Sequence, residues 1–160
     1  MNKVPKMRLA KAGRCNDFPI GHIFAILAII IVGICFIVNE SSIKIVGDEF
    51  GYWSSAAWIA GYDWADVASI NSYYGYGYGF LLLPILKLGI GQIYKYQAAL
   101  VINIVLLAAT YMISYTFLNK YKSALSETIK ILVSLISVFY VSNIYYVQYT
   151  LVEVLLCFLY

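Results

Sequence analysis

The stretch from Ile23 to Val38 contains no charged residue, and five cations precede it: Lys3, Lys6, Arg8, Lys11 and Arg14, against the single acid Asp17. Extended by Ile20 to His22, the run is long enough for a helix to cross about 30 Å of hydrocarbon. Lipid offers backbone N–H and C=O groups no partners, so such a run must be helical. The basic side of a span stays in the cytoplasm. No small-x-small cleavage site follows the run, whereas further apolar runs do. The sequence therefore predicts a retained anchor and not a cleaved signal. Hydrophobic residues make up 62% of the 160-residue chain and charged residues 12%. Soluble domains carry about 25% charged residues, and a single core of this size could not hide so much apolar surface. The expected fold is all-α: multi-span transmembrane helices, with an outer loop containing short juxtamembrane helices. The chain is expected in the cell membrane as a multi-pass protein with a cytoplasmic amino terminus, the lipid bilayer being its first partner.

Charge distribution divides the chain. Residues 1–19 are a cytoplasmic basic leader and 20–38 a transmembrane helix. Residues 39–93 form an outer loop, which begins with Glu40, Asp48, Glu49, Asp63 and Asp66 against Lys44. One short helix is predicted from Asp48 to about Ala60, with Gly61 as terminator. Another is predicted from Asp63, where Asp63-x-x-Asp66 resembles a capping box. Phe80 to Gly91 is a short apolar run with Pro84 and Lys87 inside it. Apolar stretches of about 10–14 residues lie in the interface or re-enter more often than they cross. If this one crossed, the loop with Lys120, Lys122 and Lys130 would lie outside, against the positive-inside rule. It is therefore read as an interfacial helix on the outer face. Residues 94–118 are a transmembrane helix, with Gln97 to Leu118 as its apolar body. Residues 119–130 are a cytoplasmic loop, and 131–147 a returning transmembrane helix. Residues 148–160 are an outer turn and a transmembrane helix cut short at Tyr160, with more chain expected beyond it.

Several kinds of chemistry have no sequence support. The cysteines Cys15, Cys35 and Cys157 show no pairing or zinc spacing. No phosphate loop, dinucleotide fingerprint, zinc-protease or nucleophile-elbow motif occurs, and no nucleic-acid partner is indicated.

Three features have chemical potential, each beside a plainer explanation. Asp48 and Glu49 follow Gly47 on the outer face. Asp48 also suits a helix N-cap, and Glu49 a first turn facing the helix dipole. Neighbouring helix positions point to different faces, so at most one can aim into a given pocket. Glu153 sits in an apolar context at the membrane boundary. Carboxylates placed there face a polar cavity or a partner, or else touch water at the end of a span. Acids converging on one face can bind a divalent metal or act as a general base. Tyr73-Tyr-Gly-Tyr-Gly-Tyr-Gly-Phe80 can form a sugar- or lipid-facing platform, or serve as belt and turn. Tyr52 shares that ambiguity. His22 reads as an interfacial residue. Asn103 and Asn143 read as helix-to-helix hydrogen-bonding residues.

The basic leader, the first span and then Gly47-Asp-Glu-Phe-Gly-Tyr-Trp-Ser-Ser-Ala-Ala-Trp-Ile-Ala-Gly-Tyr-Asp-Trp64 together resemble the start of the GT-C glycosyltransferases. These are multi-span enzymes related to protein O-mannosyltransferases and lipid A aminoarabinose transferases. Tyr73 to Leu88 is similar to the aromatic stretch before their second span, and Glu153 to an acid before their fourth. The resemblance implies transfer of a sugar from a polyprenyl-phosphate donor to an extracytoplasmic acceptor whose identity the sequence leaves unknown. It casts Asp48 as base or acceptor-orienting carboxylate, Glu49 as its support and Glu153 as a second acidic contributor. Tyr52, Tyr74 and Tyr76 become candidate substrate-binding residues. A divalent metal at Asp48 and Glu153 is compatible with the family without being required. On this reading the chain is the enzyme's amino-terminal part and is inactive alone. The alternative is a non-enzymatic multi-span membrane protein: a scaffold, flippase or transporter subunit.

Overall fold

The computed structural model describes residues 20–39, 47–64, 75–150 and 152–159. Every regular element among them is helical: α1 (Ile20–Asn39), α2 (Gly47–Ile59), α3 (Tyr76–Leu86), α4 (Gln92–Tyr121), α5 (Glu127–Val138), α6 (Val141–Tyr146) and α7 (Glu153–Leu159). By length and composition, α1 and α4 could each cross a membrane. At 1.5 Å per residue, the 30 residues of α4 extend about 45 Å. They overrun the apolar body at both ends.

The bundle is antiparallel. His22 of α1 lies against Tyr111 of α4, its Nδ1 2.6 Å from the phenol oxygen. Further along α1, Gly33 lies against Ile104. Numbers rise on one helix as they fall on the other. Between these points Ala25, Ile29, Ile104, Leu107 and Tyr111 form a buried core with Val138, Val147 and Val154 of the later segments. Gly33 sets how closely α1 approaches, because a Cβ there would fall 2.5 Å from the Ile104 side chain. Small residues are how helices come close in lipid.

A polar cluster fastens α5 to the far end of α4. Tyr115 donates to Glu127 Oε2 at 2.6 Å. Lys130 donates to Glu127 Oε1 at 3.0 Å and to Asn119 Oδ1 at 2.8 Å. The Tyr115 bond, then Lys130, holds the Glu127 carboxyl below its ordinary range. Lys130 is buried, so the unpaired basic charge at this end rests on the exposed Lys120 and Lys122. His22 is buried too, with its ring edge-on to Tyr115 at 4.1 Å. It is a packed junction residue and does not sit at an open interface.

Several boundaries differ from the sequence reading. The expected helix over Phe80 to Gly91 starts at Tyr76 and ends at Leu86. The Tyr-Gly alternation favoured a turn, but Gly79 lets α3 sit directly on α2, where a Cβ would come within 3.3 Å of Ser55 and of the Ala56 nitrogen. Packing overrides glycine's weak helix propensity there. Lys95 caps the end of α3 by donating to the Leu86 carbonyl at 2.8 Å.

The run 131–147 is not one helix. The first part begins at Glu127, after the N-cap Ser126, and stops at Val138; α6 resumes at Val141. Asn143 Nδ2 donates to the Ser137 carbonyl at 3.0 Å, supplying a partner to a carbonyl that the break would leave open. By contrast, α2 ends as its sequence indicates. Gly61 has φ +81°, while Gly61 N–H bonds Trp58 O and Tyr62 N–H bonds Ala57 O, a paired-bond terminator that favours glycine. The proposed helix after Asp63 falls mostly outside the described residues, and Asp63 itself is exposed and non-helical.

Overpacking a close helix crossing costs about 1–3 kcal/mol. Gly33→Leu should lower the thermal unfolding midpoint in detergent, and adding Ile104→Ala should recover much of the loss. A single variant that melts like the wild type would show that this contact does not set the α1–α4 spacing.

Candidate functional site: a buried acid joining the outer helices to the bundle

Helix α2 carries the acids in its first turn. Because the helix already includes Gly47, Asp48 is not its cap; both Asp48 and Glu49 stand where carboxylates complement the helix dipole. Adjacent positions are about 100° apart around a helix, and the two side chains have opposite environments. Asp48 is exposed, whereas Glu49 is 2% exposed.

Glu49 Oε1 accepts three hydrogen bonds. The Thr150 N–H donates at 2.5 Å, the Thr150 hydroxyl at 2.9 Å and the Tyr96 hydroxyl at 2.8 Å. The Thr150 oxygen accepts in turn from Trp53 Nε1 at 3.0 Å, one turn along α2 from Glu49. A buried carboxylate without donors is strongly unfavourable, and charge-assisted bonds are the stronger kind. The second oxygen, Glu49 Oε2, is buried without a hydrogen-bond partner among the described residues, and so is Glu153 Oε2.

The chain around Thr150 is an irregular turn between α6 and α7, and other side chains complete its satisfaction. Asn103, fully buried in the middle of α4, donates to the carbonyls of Tyr149 at 2.7 Å and Val147 at 3.2 Å. Its Oδ1 accepts from the Tyr78 hydroxyl at 3.0 Å. Asn103 therefore bonds backbone exposed by a turn, a role that spacing alone did not show. Burial raises the Tyr78 pKa, and the nearby charges of Glu49 and Glu153 raise it further. Tyr78 thus stays protonated and keeps donating.

This arrangement gathers Glu49, Glu153, Tyr78, Tyr96, Asn103 and Thr150 where α2, α3, α4 and α7 meet. Sequence reasoning singled out Glu49 and Glu153, and Tyr78 only as part of the Tyr73–Phe80 run, but missed Tyr96 and Thr150. A tyrosine in an aromatic-rich chain carries no mark of its hydrogen bond. Of the candidate substrate residues, Tyr52 is half-buried and packs edge-on to Tyr78 at 5.6 Å. Tyr76 is exposed beside Trp58, at 5.7 Å between ring centroids. Tyr74 lies outside the described residues.

Among the described residues, no group of three or more His, Cys, Asp or Glu side chains is placed to hold a metal ion. Glu49 Oε1 is also fully taken up by hydrogen-bond donors. No protein family, curated protein or solved structure matches this chain.

Removing one donor leaves a buried acceptor less satisfied, at a cost of about 1–3 kcal/mol. Tyr96→Phe should destabilise the fold by that order in urea unfolding. Paired with Thr150→Val, it should show non-additive losses, since both donors serve one oxygen. Strictly additive losses would mean that the two donors act independently.

Proposed function

We propose that this chain is the acid-bearing, amino-terminal part of a GT-C-like membrane glycosyltransferase. In this reading it acts on a polyprenyl-phosphate-linked sugar and an extracytoplasmic acceptor. The observation that carries the proposal is the division of labour in the Asp48–Glu49 pair. Glu49 is buried and tied to the Thr150 turn, which fixes the start of α2 next to the segment bearing Glu153. Asp48, one residue earlier, is left exposed on a helix that cannot drift.

Asp48 is then the base. As the acceptor hydroxyl oxygen bonds to the anomeric carbon, the bond from that carbon to the phosphate oxygen breaks. The phosphate leaves with the electron pair, and the hydroxyl proton passes to the Asp48 carboxylate. Glu49 positions Asp48 through the backbone, and Glu153 adds negative potential at the same junction. Tyr52, one turn along α2 from Asp48, and Tyr76, beside Trp58 at the other end of that helix, are the sugar- or lipid-contacting residues in this reading.

The topology behind this reading places α1, α4 and the α5–α6 run across the membrane and keeps α3 on the outer side. The Tyr96–Glu49 bond supports it. That bond joins α2 to the beginning of α4, which supports reading both on one face with the intervening α3 not crossing. The 11 residues of α3 extend only about 16 Å. One observation favours the non-enzymatic alternative: the best-bonded acid, Glu49, has an evident structural duty.

Two experiments test the proposal. A cysteine at Ser123 should react with impermeant reagent only from the cytoplasmic side; labelling from outside would invert the topology and remove the proposed site from the outer face. In the intact protein, Asp48→Asn should abolish sugar transfer while leaving membrane insertion and the melting temperature unchanged. Full transfer by this variant would return the chain to the non-enzymatic class.

A further inference from the structure

We propose that the inner end of α4 binds an anionic phospholipid in a groove lined by Met112, Ile113, Thr116, Phe117, Lys120 and Tyr121. These positions follow an i, i+1, i+4, i+5, i+8, i+9 spacing, so they share one face of the helix. The groove has a volume of about 400 Å³.

Its polarity changes along its length. Met112, Ile113 and Phe117 lie within the apolar body that ends at Leu118, and Ile113 and Phe117 are more than half exposed. Lys120 and Tyr121 lie beyond Leu118, at headgroup level if α4 crosses. The Lys120 ammonium sits 5.3 Å from the centroid of the Tyr121 ring, which in turn packs on Phe117 at 4.7 Å. No carboxylate among the described residues pairs with Lys120. Glu127, the acid at this end of the bundle, is already engaged by Tyr115 and Lys130. Lys122 stands exposed two residues further on.

Charge decides between occupants. A second apolar helix would cover Ile113 and Phe117 but would leave an ammonium without a counter-charge. An acyl chain along the upper groove and a phosphate at Lys120 satisfy both ends. Basic positions on the cytoplasmic side of membrane helices attract anionic headgroups by about 1 kcal/mol each. The inference rests on α4 crossing the membrane and is independent of sugar transfer.

The test is lipid selectivity. The chain is reconstituted into phosphatidylcholine vesicles carrying trace spin-labelled phosphatidylglycerol or phosphatidylcholine. The motionally restricted fraction of each label is then measured. The wild type should restrict phosphatidylglycerol in preference to phosphatidylcholine, and Lys120→Gln should cut that preference about fivefold. Lys87→Gln, on the opposite side, should leave it unchanged. Equal preference in wild type and Lys120→Gln overturns the site, as does efficient disulfide cross-linking of two copies through Ile113→Cys. Alkaline carbonate extraction of the chain from the vesicles overturns the crossing itself, and so separates that failure from failure of the groove.

Discussion

The Glu49 carboxylate, buried at the junction of the outer helices and the bundle, is the group on which the surrounding structure depends. Its Oε1 gathers a backbone N–H and a hydroxyl from Thr150 and a phenol from Tyr96. The three donors come from two segments far along the chain from α2. An apolar contact at this place would be non-directional and would hold α2 only loosely. A buried carboxylate must keep its donors. Away from these donors it would have to reach water or lose much of its compensation. The bond set therefore specifies one docking position for α2 and, through Tyr78 and Gly79, for α3 as well.

The same accounting explains the other internal polar residues. A chain that breaks its helices near the middle of a bundle exposes carbonyl and amide groups that apolar surroundings cannot satisfy. Here each described break has a side chain assigned to it. Asn143 serves the end of α5, and Asn103 serves the turn before α7. Tyr78 orients Asn103 by donating to its oxygen, which leaves both amide hydrogens for the turn. The broken α5–α6 run and the Glu49 site are thus one polar layer. Glu49 satisfies the turn's Thr150 amide, and Asn103 satisfies two carbonyls just before it, those of Val147 and Tyr149.

How much of this was legible in sequence follows from range. The all-helical class, α1, the end of α2 at Gly61 and the approximate extent of α4 depend on local pattern, and each was readable. The break at Phe139–Tyr140 was not, because Ile131 to Val147 reads as a continuous apolar run whose interruption depends on Asn143 reaching back to Ser137. The helical state of Tyr76 to Phe80 was hidden for a similar reason: glycines that signal a turn in isolation serve close packing on Ser55 and Ala56. At the site, the two acids were conspicuous because charge in an apolar context is conspicuous. Their donors were not, since Thr150 and Tyr96 acquire meaning only when α2 folds against α4.

Neighbouring acids on one helix are usually treated as a motif, yet their geometry assigns them different work. About 100° of rotation separates Asp48 from Glu49, and here Glu49 is buried while Asp48 is exposed. A buried acid is poorly placed to collect a proton from a substrate, because one oxygen of Glu49 is taken up by three donors and the other is closed to solvent. An exposed acid on an unanchored loop is also poorly suited, because productive geometry demands a fixed position. Placing the two in sequence resolves both problems. The buried residue supplies the rigidity that the exposed one lacks, and their shared backbone transmits it. A catalytic role for Asp48 and a structural role for Glu49 are therefore complementary readings of one pair. The discriminating question is whether loss of the Asp48 charge leaves the docked helix intact.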